Sequence, residues 1–147
     1  MPFKKNTKDS AIAAIASFLT IFILAWLTDN SGFNFLMAPF GATCALVYTL
    51  PKAQISQAKN ILFGYASAST VSFLLFHFLG YHEAVMALGV GIAVFLMMFE
   101  RIVHPPAVSI PVFFYYVKPQ PEFLLFPILS GCVVIIIARK LFKICKT

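Results

Sequence analysis

Acidic side chains are scarce in this sequence, and none lies deep within an apolar run. Asp9, Asp29, Glu83, Glu100 and Glu122 are the only five in 147 residues, and each falls at the end of such a run. A carboxylate site for a cation, or a proton relay built on buried acids, is therefore disfavoured. Cysteine is also sparse. Cys44, Cys132 and Cys145 lack the paired spacing of zinc or redox motifs, and two fall inside apolar runs, so all three read as packing thiols. No metal and no cofactor are expected. Charged residues make up only 11% of the chain. Their balance is basic, with a net charge of +6, but Lys and Arg sit at the chain ends and between apolar runs without forming a basic face. Nucleic acid is thereby excluded as a partner.

What fills the chain instead is apolar. Hydrophobic residues reach 61% and the mean hydropathy is +0.90, well above the roughly 45–50% apolar usage of soluble domains. The sequence reads as an integral membrane protein whose surroundings are the lipid bilayer. The head Met1 to Asp9 carries Lys4, Lys5 and Lys8 and has no small-residue cleavage site ahead of a soluble domain, so it leads into an uncleaved first span.

Four runs have the length of a full crossing: Ala11 to Thr28, with Ser10 as its cap, Ile61 to Gly80, Ala84 to Phe99, and Phe123 to Ala138. Two shorter stretches, about Met37 to Leu50 and about His104 to Val117, each begin with a proline motif. As helices they would reach only about 20 Å, less than a hydrocarbon core of roughly 30 Å, so they must be broken spans or re-entrant loops. Charge decides between these. If both cross, Lys4, Lys5, Lys8, Lys52, Lys59, Arg101, Arg139, Lys140, Lys143 and Lys146 share one side, ten of the eleven basic residues, and only Lys118 lies opposite. If both are re-entrant the division is seven to four. The positive-inside rule thus selects six crossings in the cell (inner) membrane, with both termini cytoplasmic.

A faint repeat accompanies this pattern. Sliding the chain by 66 residues superposes Pro39 on Pro105, Thr43 on Ser109 and Lys52 on Lys118. The order long span, broken span, long span also occurs twice. The expected fold is an all-α integral membrane domain over 1–147, made of two inverted three-helix repeats, about 10–81 and 82–144, each with a short half-helix. Prolines suit the first turn of a helix, so both half-helices would start near mid-membrane and bring their N-termini together. Free amides and partial positive charge at such a place attract a small anion. The candidate contacts are Pro39, Gly41, Ala42 and Thr43 in the first half and His104, Pro105, Pro106, Ala107 and Ser109 in the second. Thr43 and Ser109 can donate to a ligand or cap their own helices. His104 can supply a proton-dependent donor, or be a buried neutral imidazole tied to a backbone carbonyl.

The string His104-Pro105-Pro106-Ala107 after Glu100-Arg101, with Phe40-Gly41-Ala42-Thr43 and the loop carrying Pro51-Lys52 and Gln57-Ala58-Lys59-Asn60, resembles the HPP family of small integral membrane proteins over nearly the whole chain. Some members in plastids and cyanobacteria are associated with nitrite transport. The resemblance implies transport of a small inorganic anion, nitrite first, with nitrate and formate as further candidates. The chain departs from the family at Ala58, Lys59 and Tyr65, where relatives often carry proline, arginine and histidine. The rival classes are a noncatalytic membrane subunit and an intramembrane enzyme, for which His104 with Ser109 is the only available pair; no enzyme is expected. Small faces at Ala66-Ser67-Ala68-Ser69 and Gly89-Val90-Gly91 suit close helix packing and a subunit contact in a homo-oligomer. His77 and His82 are expected at the wet outer surface, and Trp26, Tyr115 and Tyr116 at the membrane interfaces.

Overall fold

A computed structural model describes residues 7–144, with side chains through Phe142. Lys4, Lys5, Cys145 and Lys146 lie outside the described residues, as does the Lys143 side chain. The described residues form six α-helices and no strand: α1 Thr7–Ser31, α2 Ala38–Thr49, α3 Ala58–Leu79, α4 Glu83–Phe99, α5 Ile110–Val117 and α6 Ser130–Ile144. Three segments are long and apolar enough to cross a membrane: Thr7–Ser31, Ala58–Leu79 and Pro121–Phe142. Helix α4 has 17 residues, about 25 Å of rise. Ser10 lies inside α1, which is already helical at Thr7, so it is not the N-cap anticipated from the sequence.

The two short elements begin at their prolines. Met37 is extended and Pro39 occupies the first turn of α2, whose 12 residues rise about 18 Å. His104 is likewise extended, as a residue before proline must be, and a 3₁₀ turn over Pro105–Ser109 leads into the eight residues of α5. The last segment is less regular than its apolar run suggested. A 3₁₀ turn at Pro121–Leu124 and a π-type turn at Leu125–Leu129 precede α6, with Phe126 extended and a cis bond to Pro127.

Contacts at the helix ends show that the chain runs back and forth between two ends of one bundle. At the first end, Arg139 on α6 donates to the carbonyl of Pro51 after α2, Gln54 donates to the carbonyl of Arg101 after α4, and Tyr48 meets Phe142. At the other end, Phe33 after α1 meets Phe126, and Lys118 after α5 lies 5.5 Å from the Tyr81 ring. Helix α3 packs against α4, α5 and the Pro105–Ser109 turn, placing it at the centre. The core gathers Leu24, Phe40, Ile61, Tyr65, Met97 and Ile135. Outward faces are apolar as well, with Phe18, Phe22, Phe78, Phe95 and Phe99 all exposed, the inverse of a water-soluble helix.

Gly89 in α4 lies where a Cβ would stand 3.0 Å from Pro111, so this small residue lets α4 close on the second short element. A Cβ at Gly91 would meet nothing within 4 Å. His77 and His82 are exposed.

Candidate functional site

Helix α2 buries one stripe, Pro39, Phe40, Thr43, Cys44 and Val47, at the spacing of a single helix face. Gly41 and Ala42 fall on the opposite, exposed side, and Gly41 lines a groove against Phe18 and Phe22 of α1. Thr43 therefore points inward while its two neighbours point out.

The second motif reaches Thr43 because α4 ends abruptly. Arg101 adopts a left-handed conformation at φ 55°, its amide bonds to the Met98 carbonyl, and the Ile102 amide bonds to that of Met97. This is a Schellman ending, formed here on an arginine where glycine is usual. The chain then runs extended through Val103, whose carbonyl accepts from Asn60 Nδ2 at 3.0 Å, and delivers His104 into the core with no exposed surface. A Cβ at Gly64 would stand 2.8 Å from the Cβ of His104, so only glycine in α3 allows this approach. Pro106 and Ala107 are buried below it, whereas Pro105 and Ser109 are exposed. Ser109 Oγ donates to the Pro106 carbonyl at 2.7 Å, capping its own turn. His104 and Ser109 thus bond to different partners.

Two groups bond to the imidazole, and two more bond to one of them, Thr43. Nδ1 lies 2.7 Å from the Ile55 carbonyl, Nε2 lies 3.0 Å from Thr43 Oγ1, and Thr43 Oγ1 lies 2.8 Å from Tyr65 Oη and 3.1 Å from the Pro39 carbonyl. A carbonyl can only accept, so Nδ1 carries a hydrogen. In the neutral ring Nε2 is then an acceptor; Thr43 donates to it, and Tyr65 donates to Thr43. In the protonated ring Nε2 donates to Thr43, whose single hydrogen turns to the Pro39 carbonyl, and Tyr65 again donates to Thr43. Both protonation states leave the cluster satisfied, and they differ in the direction of one hydroxyl.

Tyr65 is the residue that sequence reasoning passed over as a site. Its ring lies 5.3 Å from Phe40, edge to face, and 5.5 Å from His104. A Cβ at Gly131 of α6 would overlap the Phe40 ring, so a second glycine makes room for this layer. The available signal was a phenol inside an apolar span, which needs a buried partner. One turn further along the buried stripe of α3, Ser69 Oγ has no hydrogen-bond partner among the described residues, and neither has Ser130 Oγ. Beside the cluster, a cavity of about 510 Å³ is lined by Gln54, Ile55, Asn60, Met98, Arg101 and Val103. Among the described residues no group of three His, Cys, Asp or Glu could hold a metal. Cys44 and Cys132 are buried free thiols.

Residues 2–146 match the family described as HPP, transmembrane region. The chain belongs to the HPP family of membrane proteins. Two relatives from Dictyostelium discoideum, each named only as a transmembrane protein, are similar to it. One is 28% identical over 113 residues, covering 71% of this chain and 36% of the relative. The other is 25% identical over 135 residues, covering 84% and 47%. The chain spans less than half the length of these curated relatives. No solved structure matches it. The motif that names the family is here the segment that inserts His104 between α2 and α3.

Proposed function

We propose that this HPP-family chain moves a small inorganic anion, nitrite first, across the cell (inner) membrane, crossing it six times as two inverted halves with both termini cytoplasmic. The observation that carries the proposal is the 3.0 Å contact between Thr43 and His104, which joins the two proline-started half-helices through side chains that can donate hydrogen bonds. The described polar groups at this junction include no carboxylate, so an anion meets donors rather than a like charge. Gln54, Asn60 and Arg101 line the cavity on the Ile55 side and offer amide and guanidinium donors to an anion arriving from the cytoplasm. The unpaired hydroxyls of Ser69 and Ser130 offer further donors to its passage.

In the arrangement described, Thr43, Tyr65 and His104 bond to one another and close the junction. An anion would open it by taking the Thr43 and Tyr65 hydrogens that now stay within the cluster. Nε2 of His104 joins as a donor only when the ring is protonated, so uptake is expected to rise as pH falls. The proposal is transport rather than catalysis: the His104–Ser109 pair that an intramembrane enzyme would call on is not formed, because Ser109 donates to Pro106. Purified protein in liposomes, assayed for nitrite, nitrate, formate and chloride flux, tests the proposal. Nitrate stays charged at every pH and so controls for nitrous acid crossing lipid unaided. Flux no greater than in protein-free liposomes for all four anions would reject it.

A further inference from the structure

At the end of the bundle where Pro51 meets Arg139, helices α1, α2 and α6 line a second groove of about 510 Å³. Ala13, Ala16, Val47 and Phe142 form apolar walls, and Lys52, Arg139 and Asp9 lie at its polar mouth. Tyr48, which also lines the groove, is braced by a 2.6 Å hydrogen bond to Thr20 and by its edge-to-face contact with Phe142. Arg139 is fixed in place, since its Nη2 donates to the Pro51 carbonyl at 2.7 Å and to Gln57 Oε1 at 3.3 Å. The seven helical steps from Asp9 to Ala16 give the groove a depth of about 10 Å along α1.

This order, charge at the mouth and hydrocarbon beneath, matches an amphiphile. An inorganic anion would leave the apolar walls bare, and a lipid without net charge would leave the excess positive charge of the mouth unmatched. Among the described lining residues, Lys52 and Arg139 against Asp9 leave one excess positive charge, the complement of one phosphodiester. Arginine presents a planar fork suited to phosphate oxygens. We propose that the groove seats an anionic phospholipid, with its phosphate between Lys52 and Arg139 and its glycerol and first acyl carbons along Ala13, Ala16 and Val47. The site is separate from the Thr43–His104 junction, and its occupancy does not depend on which anion the protein carries.

Thermal unfolding of the purified protein in mixed micelles, with native mass spectrometry to count retained lipid, tests the proposal. Dioleoylphosphatidylglycerol should raise Tm and remain bound, whereas dioleoylphosphatidylcholine and inorganic phosphate should do neither. Lys52→Gln should weaken the phosphatidylglycerol effect about fivefold, the equivalent of about 1 kcal/mol per basic residue at an anionic surface. Ala13→Leu fills the groove without removing charge and should abolish lipid retention. Lys118→Gln, at the opposite end, should change nothing. Equal effects of the two lipids, reproduction of the shift by inorganic phosphate, or phosphatidylglycerol retention that survives Ala13→Leu would each overturn the site. If Ala13→Leu does not fold, undiminished phosphatidylglycerol affinity in Lys52→Gln overturns it alone.

Discussion

Thr43 carries more of the site than any other single residue, because one hydroxyl lies within hydrogen-bond reach of Tyr65, His104 and the Pro39 carbonyl. Thr43→Val keeps the shape and removes every one of these bonds. The expected cost is about 1 kcal/mol of stability, within the range measured for side-chain hydrogen bonds between membrane helices. Thermal unfolding should show the loss, and Thr43→Ser should restore most of it. Tyr65→Phe should cost a similar amount, since it removes the Tyr65 bond to Thr43 in both protonation states and leaves Thr43 with no donor while the imidazole is neutral. His104→Gln removes the titrating group, so nitrate uptake should lose its rise at low pH, whereas wild type should keep it. An unchanged pH response in folded His104→Gln would remove the imidazole from the mechanism. His104 and Thr43 were legible from the sequence because prolines mark them. Tyr65 was not, because nothing in the run from Ile61 to Gly80 breaks its helix, and the Ile55 carbonyl that fixes the imidazole is a backbone group no motif reveals.

The half-helices were legible for the same reason: proline at a first turn dictates where a helix begins, and both elements start there. Pro127 carried an equivalent warning within the run from Phe123 to Ala138, which read as one smooth span and is irregular until Ser130. The glycines Gly64 and Gly131 were equally hidden, since helix crossing points depend on tertiary packing. Gly64→Ala should lower stability although alanine favours helix by about 1 kcal/mol, because its Cβ would meet that of His104 at 2.8 Å. Overpacking of this kind costs about 1–3 kcal/mol, and the Asn60 bond to Val103 keeps the segment from backing away. Arg101→Gly should have the opposite effect. A left-handed residue with a Cβ costs about 1–2 kcal/mol, more than the backbone entropy that glycine adds, so Tm should rise. Anion uptake should fall in the same variant, because the guanidinium leaves the cavity wall. A fall in Tm would show that the Arg101 side chain holds the fold.

At the scale of the molecule, apolar composition made the membrane class legible, and the HPP family match agrees with it. Contacts at both ends of the bundle place Lys52 and Lys118 at opposite ends. Single cysteines at these positions, in an otherwise cysteine-free protein, should label from opposite sides of the membrane, Lys52→Cys from the cytoplasm. Labelling of both from one side would refute the six crossings. The two short elements differ in detail, since Thr43 bonds across helices while Ser109, the residue that the 66-residue shift aligns with it, caps its own turn. The faint sequence repeat could not reveal that asymmetry, which follows from where each short element meets α3. The most direct test of the central claim is nitrate and nitrite influx into liposomes containing wild type, Thr43→Ser or Thr43→Val at matched folded yield. Wild type should carry both anions above the protein-free background, Thr43→Ser should retain most of that flux, and Thr43→Val should lose it. Equal flux through wild type and Thr43→Val would contradict an anion path through the junction of the two half-helices.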